Sequence, residues 1–506
     1  RGFPEIRMFR GRLPLALWIA IAAAGCALRP AAPDTEPLEG GSVWVYLAAL
    51  PPGAERISIG VRGVAAVGEG GETVSLRLEL GRIGGEPTSR ERLVAWGAVA
   101  PGRYAGLELE FEDPALPGHE GAVPLAAPPG PVRVEAPFEV GVRAASVVGL
   151  SLDAGAAVVS GSRLEPAFSA SAPRRVATGL IGAVSSRTAG TVTLFDKATR
   201  EVAAVVPVGP EPVGIAADAR RSRAYVAVSG ADAVEVLDLQ GASLIDRLAL
   251  SGGDRPTELA LAPGGRRLLV VNSGSNTLSV VDAGSLVEER RVAVGSEPTW
   301  VVPDREGRRA FVVNSLSDSI SVVDLLADAP PLTVALEAEP VRAGLDRGGG
   351  RLYVAHRVSP YLVVLDTGSL AVLRRVYVGP GATALAVDRR TDRIYLARSR
   401  TGVVEVFDSS SLLPVDEIPV EGEVSHIAVD AEGNSLFLAL PRAGGVGVVG
   451  LTSKRPAPGL DVGAGPARLA SAGGAFVRPL DVRRAPIERA RRRFGVPAGV
   501  GARCHS

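Results

Sequence analysis

One spacing constrains this chain more than any other feature. Short apolar runs that end in Asp recur about every 42 residues: Leu194-Phe195-Asp196, Val236-Leu237-Asp238, Val280-Val281-Asp282, Val322-Val323-Asp324, Val364-Leu365-Asp366 and Val406-Phe407-Asp408. A seventh, Val448-Val449-Gly450, ends in Gly, and the successive intervals are 42, 44, 42, 42, 42 and 42. Sixteen residues after an anchor stands Pro212, Pro298, Pro340 or Pro466; the longer repeat reaches Pro256 after eighteen. Within one unit, 298–336, the pattern predicts four strands: Thr299–Val302, Ala310–Asn314, Ile320–Asp324 and Leu332–Leu336, with turns between them.

A 42-residue period with four strands per unit is the signature of a propeller blade. The first unit begins at its second strand, near Leu180, and a spare first strand, Pro466–Ala470, follows the seventh anchor. That strand is expected to complete the first blade and close the ring, since an open ring leaves edges that invite aggregation. The expected fold is all-β: a seven-bladed β-propeller of four-stranded blades over 177–473, preceded by a smaller antiparallel β-sandwich over 41–172.

The repeat resembles the YVTN family of bacterial β-propeller repeats, most closely in Leu269-Val270-Val271-Asn272 and Ala310–Asn314. The tetrapeptides do not match the family name letter for letter.

Apolar residues make up 46% of the 506, enough for packed cores, and 61 glycines and 39 prolines suit short strands and tight turns. Formal net charge is zero, which leaves no global field to draw in nucleic acid. In the N-terminal part, strands are expected at Ser42–Leu47, Arg56–Val64, Val74–Leu80, Tyr104–Phe111, Val132–Val142, Ala145–Leu152 and Ala156–Val159. Leu107-Glu108-Leu109-Glu110-Phe111 alternates as a half-buried strand does. The opening strand, the Pro101-Gly102-Arg103-Tyr104 turn, Val147–Leu152 and the exit Leu164-Glu165-Pro166-Ala167-Phe168 together resemble a domain family of unknown function found in bacterial lipoproteins.

The first residues read as an export signal. Met8 is a plausible start, Arg10 and Arg12 form a basic segment, and Leu13–Ala24 is apolar but short for a membrane span. Ala23-Ala24-Gly25-Cys26 resembles a lipobox, with Ala where Leu is usual three before the Cys. The resemblance implies a signal peptide with lipobox over 1–26, cut just before Cys26, which is acylated and becomes the new N-terminus, a stable anchor when several chains are attached. Ala27, where Asp would retain the protein at the inner membrane, implies the outer membrane. Residues 27–40 read as a Pro-rich tether and 474–506 as a basic tail containing Arg483, Arg484, Arg489, Arg491–Arg493 and Cys504.

Candidate site residues come from repeat arithmetic. Two residues after the Pro position, where each innermost strand opens, stand Gly214, Glu258, Trp300, Arg342, Ala384, His426 and Arg468. Five large polar or aromatic groups in equivalent places suggest a ligand-binding mouth, with Arg342 and Arg468 favouring an anion. Asn272, Asn314, His356 and Arg398 share another repeat position and form a candidate second rim. The anchor aspartates are expected to fix turns by accepting backbone N–H bonds. His119 is expected in a solvated loop. The four histidines do not cluster as a metal site, no cofactor motif is present, and no catalytic motif such as G-x-S-x-G or a P-loop is visible.

The expected function is a non-catalytic binding or scaffolding lipoprotein of the cell envelope. Its expected partners are the membrane, through Cys26, and a protein or a small anionic ligand at the mouth. The alternative is a propeller-mouth enzyme of lactonase-like or lyase-like type, which the fold alone does not exclude.

Overall fold

A computed structural model describes residues 40–471 apart from 51–56, 85–89, 119–120, 154–155, 161, 175 and 464. The signal segment, Cys26, nearly all of the tether, His119 and the basic tail lie outside the described residues.

Seven four-stranded antiparallel sheets follow one another from Ile181 to Ser471. The fourth blade is typical: Pro298–Pro303, Arg309–Asn314, Ser319–Asp324 and Leu332–Ala335, each within a residue or so of the expected bounds. The second and third strands of each blade are apolar on both faces because a neighbouring blade covers each face. Leu269, Val271, Leu278 and Val280 of the third blade pack on Val301, Ala310, Val312 and Val323 of the fourth. The alternate residues Leu268, Val270 and Val281 pack on Tyr225, Val234 and Val236 of the second. This is the period-two pleat of a strand put to use on both sides. Each fully buried Val or Leu contributes about 1.5–3 kcal/mol relative to exposure.

The anchor aspartates do what their position implied. Asp282 Oδ1 accepts the N–H groups of Gly284 and Ser285, at 3.0 and 2.9 Å, and Asp196, Asp324, Asp366 and Asp408 repeat the arrangement. These donors hold the Asp282, Asp324 and Asp366 carboxyls below the usual carboxylate range.

The ring closes as the spare strand implied. Pro466–Ser471 pairs antiparallel with Ile181–Ser186, matching Val184 with Leu469 and Ser185 with Arg468. Leu469 is buried with Val184, Phe437 and Leu460, so the seam is packed as well as hydrogen-bonded. Lys197 Nζ lies 3.2 Å from Asp430 Oδ2, a buried ion pair joining the first and seventh blades.

The N-terminal domain is all-β, but ten of its strands form one continuous sheet curled into a half-barrel, with Val158–Ser160 and Arg163–Glu165 paired as a separate two-stranded sheet, where two packed sheets were expected. The order runs from Phe168–Ser171 through Ala145–Leu152, Gly41–Leu47, Arg92–Val99, Thr73–Leu78 and Ser58–Gly68 to Gly102–Gly118. Bulges in the Ser58–Gly68 and Gly102–Gly118 pairing provide the curvature. Gly41–Leu47 runs parallel to Ala145–Leu152, the one departure from antiparallel pairing among these neighbours. Arg92–Val99, which pairs with the opening strand, went unrecognised in the sequence because its small residues Ala95, Gly97 and Ala98 carry little strand signal.

Gly41–Leu47 is buried on both faces. Val43, Val45 and Leu47 enter the domain's own core, while Trp44 and Tyr46 pack against Val202 and Val205 of the first blade. The outermost strand of that blade, Val202–Pro207, is therefore mostly buried, whereas the outermost strand Ser243–Ala249 of the next is largely exposed. At the same junction Glu91 Oε2 accepts the Val202 N–H at 2.6 Å, and Arg92 Nε pairs with Asp461 at 2.6 Å.

Candidate functional site

The seven strand-opening positions meet on the propeller axis. Gly214 has no room for a side chain: a Cβ there would lie 2.7 Å from Glu258 Cα on the neighbouring strand. Ala384 is buried in the cluster between its own blade and the next. The other five touch one another although they come from five blades. Arg468 Nε donates to Glu258 Oε2 at 2.9 Å. The guanidinium carbons of Arg342 and Arg468 lie 4.9 and 5.6 Å from the Trp300 ring centroid, and the Trp300 and His426 rings are 5.8 Å apart. Trp300 Nε1 donates to the Ala343 carbonyl at 2.9 Å, which fixes the indole.

These groups fill the axis instead of surrounding an open mouth. Glu258 and Arg342 are buried, and the Arg468 side chain is 11% exposed. Two guanidiniums face one carboxylate, so the plug is net cationic. Arg342 donates to the Val341 carbonyl, but its Nε is buried without a hydrogen-bond partner. Burial, and then the Arg468 charge, push the Arg342 pKa well below the usual guanidinium value. Burial and the same two arginines push His426 well down. His426 Nδ1 accepts the Leu469 N–H at 3.3 Å, so the neutral ring carries its proton on Nε2.

The second candidate rim is not a rim. Asn272 and Asn314 are fully buried, and their Nδ2 groups donate to Thr277 and Ser279, and to Ser319 and Ser321, within their own blades. His356 is buried, with Nδ1 donating to the Tyr361 carbonyl at 2.9 Å. Arg398 forms a two-pronged pair with Glu405 at 2.9 and 2.7 Å. The repeat position ends the second strand of each blade, so its side chains turn onto the third strand and not toward solvent.

Beyond the plug the axis opens. A cavity of about 690 Å³ has Trp300 and His426 at its inner end, while Glu258, Arg342 and Arg468 do not line it. Its lining mixes polar and apolar groups, the apolar part including Leu261, Pro303, Ala386 and Val387, whereas Val301, Leu345, Leu385 and Ile427 are buried in the clusters between blades. Its mouth lies at the far ends of the inner strands, where Asp218, Arg220, Arg305 and Arg389 project. The opening is thus at the end of the axis opposite to the one the strand-opening positions implied. Arg305 and Arg389 occupy a different repeat position from the strand-opening residues. Their signal was the recurrent Asp that ends an inner strand, as in Asp304-Arg305 and Asp388-Arg389.

No protein-family model and no curated protein sequence matches the chain. Among solved structures, a functionally unknown protein from Desulfotomaculum acetoxidans is similar at 12% identity and a TM-score of 0.52, covering 57% of this chain and 98% of that one. That likeness supports the fold alone. A putative 6-phosphogluconolactonase from Bacteroides fragilis (12% identity, TM-score 0.49, 59% of this chain and 99% of that one) is similar at a lower score. So is the Kuenenia stuttgartiensis hydrazine synthase (18% identity, TM-score 0.49, 54% and 92%).

Proposed function

We propose that this protein is an exported, lipid-anchored binding protein of the cell envelope, which holds a small molecule in its axial cavity without chemically changing it. The observation that carries this reading is the asymmetry of the axis: a charged plug fills one end, and a cavity of about 690 Å³ with mixed polar and apolar lining occupies the other. Volumes of roughly 300–1,000 Å³ are usual for small-molecule sites. Glu258, Arg342 and Arg468, first read as ligand contacts, are engaged with each other and with the backbone, whereas Trp300 and His426 remain available as the cavity floor. The titratable groups in the cavity do not form a catalytic pair. His426 lies at the floor, and Asp218 at the mouth is bound by Arg221 Nη1 at 2.6 Å.

Two experiments test this. Native mass spectrometry of the protein taken from its own membrane fraction should show a bound small molecule. Ala217→Trp, which fills the cavity, should abolish it while the fold is retained. A bare wild-type protein, or a ligand that stays with the filled variant, contradicts the cavity as the site. Labelling with a fatty-acid analogue should tag the wild type and not Cys26→Ser; equal labelling contradicts the anchor.

A further inference from the structure

We propose that the axial cavity takes a small organic anion with an apolar body, its acid group held by Arg305 and Arg389 at the mouth and its apolar end seated on Trp300. The proposal rests on the preceding reading of the cavity as the binding site and adds the class of ligand.

The mouth is where the charge is unbalanced. Among the described residues Arg389 has no hydrogen-bond or ion-pair partner, and the charged neighbour that acts on it is another arginine, Arg305. Arg389 stands exposed at the mouth, and desolvation by its packed surroundings, followed by that like charge, lowers its pKa. Arg305 uses Nη1 on the Arg347 carbonyl at 2.9 Å and keeps its remaining donors. Arg220 adds a third cation to the lining.

The nearby acids are engaged by groups other than Arg305 and Arg389. Asp218 accepts from Arg221 Nη1 and from the N–H groups of Arg220 and Arg221. Asp304 accepts the Arg308 N–H and Arg309 Nε, and Asp388 accepts the Arg390 N–H and Thr391 Oγ1. A planar guanidinium pair with open donors suits a carboxylate or a phosphate monoester.

The rest of the cavity sets the body of the ligand. Leu261, Pro303 and Val387 offer apolar surface, and the indole of Trp300 offers a flat end. Behind the indole, Arg342 and Arg468 outnumber Glu258, so the floor also sits in positive potential. His426 Nε2–H has no partner among the described residues and supplies one polar contact at depth.

The test uses the full chain in detergent and three probes: 4-phenylbutyrate, the neutral 4-phenylbutanol, and inorganic phosphate, each titrated calorimetrically. The acid is expected to bind about tenfold tighter than the alcohol, the ratio that one charge-assisted contact supports. Arg305→Gln with Arg389→Gln should bring the acid to the level of the alcohol and leave the alcohol unchanged. Trp300→Leu should weaken both. Equal binding of acid and alcohol to the wild type overturns the anion class while leaving the cavity a binding site. Phosphate binding as tightly as the acid overturns the apolar body. Failure of both phenyl probes, or their undiminished binding to Ala217→Trp, overturns the cavity itself.

Discussion

Arg468 and Glu258 stand 210 residues apart in the chain, yet Arg468 Nε donates to Glu258 Oε2 at 2.9 Å on the propeller axis. The contact exists only because the last described strand returns to the first blade and brings the start of its inner face to the centre. Both side chains are nearly out of solvent, at 11% and 6% exposure. Removing one partner of such a pair costs about 3–5 kcal/mol, because the other charge is left buried. Glu258→Gln and Arg468→Met should each destabilise the propeller by about that much in chemical denaturation. The double variant should cost less than the sum of the two. Additive losses would mean that the pair is not coupled.

The closing strand should carry much of the ring's stability. Ending the chain after Val462 removes the ladder from Gly182 to Ser186, the buried Leu469 and the partner of Glu258. A loss of at least about 4 kcal/mol is expected from these terms. A shortened chain that denatures like the full one would contradict closure through Pro466–Ser471.

The same seam holds the ion pair of Lys197 with Asp430, whose side chains are 5% and 2% exposed. Lys197→Ala should cost about 3–5 kcal/mol by leaving Asp430 buried without this counter-charge. Lys197→Met with Asp430→Leu should recover most of it, since an apolar pair of similar volume can replace a buried ion pair. Denaturation midpoints of the three proteins decide between these outcomes.

Docking of the N-terminal domain should depend on pH through Glu91. Burial, with Glu201 and Asp461 adding negative charge and the Val202 N–H opposing, raises its carboxyl from 4.5 to about 7. Arg90 and Arg92 also face this junction, both paired with Asp461. A raised acid favours the docked form while it is protonated. The contribution is complete below about pH 4.5 and is lost as pH rises through about 7, amounting to about 3 kcal/mol. Hydrogen exchange of Val202–Pro207 should therefore be faster, relative to the intrinsic rate, at pH 8 than at pH 5.5. Glu91→Gln should flatten that difference. An unchanged dependence in the variant would assign it to another group.

How far the sequence could be read follows from what repeats report. Equal spacing shows which residues share a level of the ring, so the closing strand, the Asp turns and the convergence of Glu258, Trp300, Arg342, His426 and Arg468 were all legible. Spacing does not show whether a level is filled or open. That depended on the reach of Arg468 across the axis, which placed the cavity at the opposite end, beside Arg305 and Arg389. Outward-looking positions such as Asn272 turned inward because the facing hairpin strand offered hydroxyls. The docking face was also written in the chain, in the all-apolar Val202–Pro207 and the aromatic Trp44 and Tyr46, but it has no repeat to mark it.

The axial site can be located directly by photo-crosslinking. An aryl azide bearing a butyrate chain, irradiated with the full protein and mapped by peptide mass spectrometry, should mark the inner strands Pro256–Leu261, Pro298–Pro303 and Ala382–Asp388 and the turns after them. An excess of 4-phenylbutyrate should suppress those adducts. Adducts confined to outer strands such as Ser243–Ala249, or to the N-terminal domain, would contradict a ligand site on the propeller axis.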